Sequence, residues 1–130
     1  MAFLRRASSR SSVGDRGESI ASRYLKKQRF RVLRRNLDVG VGEADIVCLS
    51  PDRKTLVVVE VKTRTMSETS TTVPESGIDA HKRRKLVRVA HACARTLRWG
   101  DRSLRIDVVA VEMREGEDPV IRHHENAVTG

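Results

Sequence analysis

Hydrophobic and polar positions along the chain change period several times, and each change marks an element. Over residues 12–28 the apolar positions Ile20, Ala21, Tyr24 and Leu25 recur at three- and four-residue spacing, which predicts an amphipathic helix. The segment Ser12-Val13-Gly14-Asp15 at its start fits a capping box. Residues 29–35 (RFRVLRR) alternate Phe30 and Val32 with arginines, predicting an edge strand and then a turn over 36–41. Residues 43–50 and 55–63 alternate again, carry many β-branched side chains and flank Pro51-Asp52-Arg53-Lys54. Proline presets φ and aspartate bonds its own following backbone, so this pair predicts a hairpin. The strongest helical period spans 79–99, with Leu86, Val89, Ala90, Cys93 and Leu97 as the stripe and Gly100 as the C′ residue. Residues 103–111 predict another strand, and a turn at 115–119 leads to a short strand at 120–122. The aperiodic, Ser/Thr-rich stretch 65–77 reads either as a flap beside a site or as disordered chain.

The hairpin carries acids that a plain core strand would not want. Pairing Ser50 with Thr55 across the turn sets Leu49 opposite Leu56, Asp45 opposite Glu60 and Glu43 opposite Lys62. The period of two places all four charged residues on one sheet face, with opposed Cβ atoms about 4.5–5.5 Å apart. Opposed carboxylates repel unless a metal ion, a proton or a lysine lies between them. Two readings follow. One is a divalent-metal site for phosphodiester chemistry, with Asp45 and Glu60 as ligands and Lys62 offsetting charge or positioning water. The other is a solvent-facing surface of salt-bridged Glu and Lys.

Glu18 lies on the inward stripe of the first helix, either as a partner of the helix dipole or as a third acidic ligand. Gly14 and Gly17 in the same turn permit close packing or the approach of a phosphate. Lys82 sits four residues before Leu86 and points inward at the positive end of the second helix. Around it His81, Arg83, Arg84 and Lys85 form a phosphate-binding or a solvated face. Asp107 interrupts one face of its strand and is expected to pair with an arginine or a lysine. His123 and His124 read as solvent-exposed tail residues rather than metal ligands.

Charge sharpens this picture. The net charge of +9 over 130 residues is uneven: +8 over residues 1–40, +4 over 41–110 and −3 over 111–130. Such a chain favours polyanions, and nucleic acid is the usual one. With only 3% aromatic residues the chain has little from which to build a base-stacking platform, so contacts are expected mainly to phosphates. The length suits one domain, expected over 12–128 behind a basic, disordered arm at 1–11. No apolar run approaches the ~20 residues of a membrane helix, and residues 1–12 lack the pattern of a secretory signal. Cys48 and Cys93 fall inside apolar runs and read as core residues in a reducing, cytoplasmic compartment.

The ordered set of motifs resembles the PD-(D/E)XK nuclease superfamily, and within it the YraN family. The residues that carry the likeness are Gly14, Gly17, Glu18, Ala21, Tyr24-Leu25, Asn36, Gly42-Glu43-Ala44-Asp45-Ile46, Val59-Glu60-Val61-Lys62-Thr63-Arg64, Lys82, Arg105-Ile106-Asp107-Val108-Val109 and Glu125-Asn126-Ala127. The superfamily's proline before the first aspartate is absent, with Ala44 in its place. The resemblance implies an α/β, restriction-endonuclease-like core with a mixed sheet flanked by helices. It implies Asp45 and Glu60 as metal acids, Lys62 as the catalytic lysine, and Glu18 in the place of the first-helix glutamate of archaeal Holliday junction resolvases. The expected function is an Mg²⁺- or Mn²⁺-dependent DNA endonuclease or branched-DNA resolvase, possibly homodimeric. A non-catalytic nucleic-acid-binding module on the same fold is the alternative. Arg16, Arg64, Lys82, Arg83 and Arg84 are the expected nucleic-acid contacts, and Glu43 and Asp107 the residues expected to brace the metal acids from behind.

Overall fold

The computed structural model describes residues 12–65 and 79–129. The arm at 1–11, the Ser12 side chain of the expected capping box and nearly all of the 65–77 stretch lie outside them. Seven elements follow in order: α1 (Ser12–Lys27), β1 (Arg31–Asp38), β2 (Glu43–Leu49), β3 (Leu56–Thr65), α2 (Ala80–Thr96), β4 (Leu104–Met113) and β5 (Val120–Val128). The strands form one sheet in the order β1-β2-β3-β4-β5. Only β3 and β4 run parallel, joined through α2; the other pairs are antiparallel. The fold is therefore α/β with a mixed five-stranded sheet and a helix on each face.

The central strand shows why. Leu56, Val57, Val58 and Val59 are all buried, a continuous apolar run of the kind a strand covered on both faces requires. Val57 and Val59 pack with Ala21 and Leu25 of α1, together with Ile46, Cys48, Val109 and Val111. Leu56 and Val58 face the other way and pack with Val89, Ala90 and Cys93 of α2. Both cysteines are free and buried, as core residues should be.

Several boundaries differ from the sequence expectation. β1 ends at Asp38 rather than 35, with an irregularity between Val32 and Arg34, and the turn tightens to 39–42. There the Val39 N–H donates to the Gly42 carbonyl, and the Gly40 N–H, at φ 89°, to the Asp38 carboxylate. β5 runs to Val128 instead of stopping at 122. Its polar residues hydrogen-bond to buried acids of β4 instead of alternating with apolar ones, so the periodicity that marks a strand is missing. Finally, α2 closes before Gly100. Arg98 takes the left-handed C′ position at φ 56°, with Arg98 N–H to Arg95 O at 3.1 Å and Trp99 N–H to Ala94 O at 2.8 Å. The motif is set by Trp99, which folds back into the core beside Ala94. α1 closes the same way through Arg29 and Phe30.

Candidate metal and phosphate site

β2 and β3 pair from Leu49 opposite Leu56 to Ile46 opposite Val59, and continuing that register sets Asp45 opposite Glu60. At this end β2 stays paired with β1, through Leu37 opposite Ala44 and Asp38 opposite Glu43. The Val61 N–H donates to the Asp45 Oδ2 at 2.8 Å, so a β3 amide is held by a β2 side chain beyond the end of the β2–β3 ladder. A cleft of about 280 Å³ opens there. The sheet contributes Glu43, Asp45, Glu60 and Lys62 to it, and α2 contributes Lys82, Lys85, Leu86 and Val89.

The electrostatics of the cleft are those of like charges crowded together and partly out of water. The Glu60 carboxyl is pushed up to about 7, first by burial and then by the charge and hydrogen bond of Asp45, against the pull of Lys62 and Lys82. Lys62 is pushed down by burial, then by the hydrogen-bonding and charge of the neighbouring Lys82, against Glu60 and Asp45. Both groups move toward their neutral forms, as expected of charges crowded out of water. Lys82 is fixed by the start of its helix: the Asp79 side chain caps α2 by accepting from the Lys82 N–H at 2.9 Å.

Lys85 lines the same cleft, although the sequence singled out only Lys82 there. The signal was present: three residues on, it shares a helix face with Lys82. Gly42 lets it in. A Cβ on Gly42 would stand 2.8 Å from Val89 Cγ2 and 3.3 Å from Lys85 Cε, so only a residue without a side chain lets the β1–β2 turn close on α2.

The other expected site residues lie elsewhere. Glu18 is 5% exposed on α1, whose core partners belong to the opposite sheet face, and it does not line the cleft. Arg16 lines a separate polar cleft of about 720 Å³ with Thr65, Arg114 and the turn at 115–118. Arg64 follows Lys62 by two residues and shares its face, while Arg83 and Arg84 are exposed on α2.

Asp107 does not brace Asp45 and Glu60. Its strand neighbours Val109 and Val111 pack with α1, so its side chain points to the other side of the sheet. It is fully buried and saturated: Arg105 donates to it at 2.8 and 3.0 Å, the Asn126 N–H at 2.9 Å, and His123 Nε2 stands 2.8 Å away. Burial alone would raise its pKa, but the bonds from His123, Arg105 and Asn126 outweigh it and hold the carboxyl below its usual range. The expected arginine partner is thus Arg105. His123 is not a tail residue either: its side chain is 7% exposed, because β5 continues through it and sets it opposite Val109. With Nε2 protonated toward Asp107, its Nδ1 accepts from the Tyr24 hydroxyl at 3.1 Å. Among the described residues, the group of three acid or histidine side chains with ligand atoms mutually within 4.8 Å is Asp107, His123 and Glu125. The Arg105 guanidinium already sits against both acids of that group.

The arrangement defines a class: a small α/β protein whose mixed sheet parts between two strands to form an acid–lysine cleft roofed by one helix. The comparisons with known proteins place it further. The model of the uncharacterised protein family UPF0102 matches residues 17–111. A UPF0102 protein of Geobacter metallireducens is 37% identical over 116 residues, covering 89% of this chain and 91% of that one. Another, of Syntrophotalea carbinolica, is 36% identical over 118 residues, covering 91% and 92%. The chain belongs to the UPF0102 family, the YraN family that its motifs resemble. Among solved structures, a repair endonuclease from Pyrococcus abyssi gives a TM-score of 0.48 at 19% identity, over 82% of this chain and 40% of that one. A structure of EndoMS in complex with double-stranded DNA gives 0.44 at 18%, over 75% and 36%. The chain spans less than half the length of either. No helix among the described residues is long and apolar enough to cross a membrane.

Proposed function

We propose that this protein is a metal-dependent nuclease that hydrolyses phosphodiester bonds in DNA. The observation that carries the reading is the gathering of Asp45, Glu60, Lys62 and Lys82 in one cleft. Two hard carboxylate oxygens suit Mg²⁺ or Mn²⁺, and a divalent cation between the acids would offset both the burial and the repulsion from Asp45 that drive Glu60 up to about 7. When bound there, the ion polarises the phosphate and acidifies water. The chain's own residues do the rest. Asp45 is held in place by the Val61 N–H. Lys62 offsets charge at the attacked phosphate, and Lys82 and Lys85 draw the nucleic-acid backbone into the cleft from α2. The ligand set proposed is Asp45 and Glu60. Cutting both strands of a duplex or a branch calls for two such clefts, so a homodimer belongs to the proposal.

The test is cleavage of labelled four-way, flap, single-stranded and duplex DNA with Mg²⁺ or Mn²⁺, wild type beside Lys62→Ala, with binding followed by gel shift. Cleavage by wild type that disappears in Lys62→Ala, while binding persists, is the expected result. Binding without cleavage by wild type, together with calorimetric Mg²⁺ binding that Asp45→Ala leaves unchanged, would overturn the nuclease reading.

A further inference from the structure

α2 carries no acidic residue along its length, while its basic residues run from Lys82 to Arg95. Its inward stripe of Leu86, Val89, Ala90 and Cys93 packs on the sheet. At 3.6 residues per turn, Arg84, Arg88, His91 and Arg95 fall at steps of three and four on the side opposite that stripe, and all four are exposed. A second row steps by three throughout: Lys82, Lys85, Arg88, His91. Its first two members line the acid–lysine cleft and its last two lie on the outer face, so the row climbs out of the cleft and over the helix.

This pattern costs the helix stability. α1 orders its charges as a helix dipole prefers, with Asp15 in the first turn and Lys26 and Lys27 in the last. α2 has no acid in its first turn, and Lys82, Arg83 and Arg84 crowd its positive end beyond the Asp79 cap. A face that only solvates a helix gains from mixed signs at i and i+4, whereas Arg84 and Arg88 at that spacing repel. Among the described residues, no ion pair involves Arg84, Arg88, His91 or Arg95. A local rule broken along a whole face marks a surface kept for a partner, here a polyanion. The helix has no Phe, Tyr or Trp on which the bases of a single strand could stack, so the face suits the phosphates of a duplex.

We propose that duplex DNA leaves the acid–lysine cleft along the outer face of α2, with its phosphates held by Arg84, Arg88 and Arg95 and by a ring N–H of His91. From Lys82 to Arg95 the track is about 20 Å long at 1.5 Å per residue. That is on the order of six base-pair rises. The duplex is therefore gripped on one side of the cleft, over the helix that roofs it. The track rests on the nucleic-acid reading above and adds the path of the substrate.

Fluorescence anisotropy of a fluorescein-labelled DNA duplex and its single strand, titrated without divalent metal across a range of NaCl, tests it. Arg88→Gln combined with Arg95→Gln should weaken duplex binding several-fold at moderate salt and reduce the slope of log K against log[salt] by about 2; Arg84→Gln should reduce it by about 1. Arg88→Lys with Arg95→Lys should keep the slope. Arg23→Gln with Lys27→Gln removes the same charge from exposed positions of α1, on the other sheet face, and should leave the slope unchanged. The α2 substitutions lie on the exposed face and remove like charges, so Tm should not fall. An unchanged slope in the α2 pair of a wild type that binds, or an equal loss in the α1 pair, would overturn the track and leave the cleft reading standing. An equal loss on the single strand would overturn the assignment to a duplex. A wild type with no salt-dependent binding at all would overturn both the track and the nucleic-acid reading.

Discussion

α1 meets the sheet at Gly17, directly over Thr63 of β3, the residue after Lys62. A Cβ built on Gly17 falls 1.9 Å from Thr63 Oγ1, 2.6 Å from Cγ2 and 2.7 Å from Cβ. Rotating the Thr63 side chain moves the first two but not the third, so Gly17→Ala must lift the helix off the strand. The nearest contact is short of the roughly 3.4 Å of ordinary packing by about 1.5 Å. Overpacking of this kind costs about 1–3 kcal/mol, whereas replacing a mid-helix glycine by alanine should by itself contribute about 1 kcal/mol of stability. The clash reaches a backbone-anchored atom, so the upper part of the range applies and the net loss is about 1–2 kcal/mol. For a domain of this size that lowers Tm by roughly 4–8 °C. The assay is thermal unfolding by circular dichroism for Gly17→Ala, Thr63→Gly and the double variant. In the Thr63→Gly background the sign should reverse, with Gly17→Ala now raising Tm, because only helix propensity is left. A rise in Tm for Gly17→Ala in the wild-type background would refute the close approach of α1 to β3.

Three more outcomes are expected. Asp107→Asn should cost about 3 kcal/mol at neutral pH, since it breaks a buried ion pair on one side. The folded carboxyl titrates below its unfolded value, so this contribution is complete above about pH 4 and lost as pH falls through the folded pKa; chemical denaturation of both proteins between pH 2 and 7 should show their difference closing only at the acid end. With Glu60 at about 7, ligation by its ionised form should make Mg²⁺ affinity fall roughly tenfold per unit as pH drops below 7, and calorimetry should find that dependence absent in Glu60→Gln. Arg98→Gly should raise stability by about 1 kcal/mol in urea unfolding, because an exposed arginine now holds the left-handed C′ position of α2.

Most of the fold was legible because its signals are local. The 3.6-residue stripes of α1 and α2 and the Pro51-Asp52 turn needed nothing from elsewhere in the chain, and the turn set the hairpin register that places Asp45 across from Glu60. What the sequence could not show depends on partners far along the chain. β5 has no periodicity of its own; it is a strand because its backbone pairs with β4 and its polar side chains meet Asp107 and Glu112. Gly100 looked like a helix terminator, but the position of the terminator is set by the docking of Trp99. Lys85 was readable on its helix face, yet its place in the cleft depends on Gly42, more than 40 residues earlier.

Asp45, half-buried, and Asp107, fully buried, show how an acid set at a cleft differs from one sealed in the core. Asp45 lies in the run Ala44-Asp45-Ile46-Val47 and Asp107 in Ile106-Asp107-Val108-Val109, and on sequence alone they are near twins. Asp107 has Arg105 two residues away on its own face, and His123 and the Asn126 N–H close around it. With every acceptor direction met, the carboxyl is held low; the cation it needs is built into the chain, and Tyr24 ties the cluster to α1 through His123. Asp45 sits instead beside a second acid, and the cations nearest the pair are lysines that crowd one another. There the shortfall falls on Glu60, whose carboxyl is drawn toward protonation near neutrality. A group of ligand atoms is therefore a poor guide by itself, because the tightest one in the described chain already holds a guanidinium. The acid pair proposed to take a divalent ion is the one whose crowding drives a carboxyl toward its neutral form, and it lies where β2 and β3 part and the cleft opens.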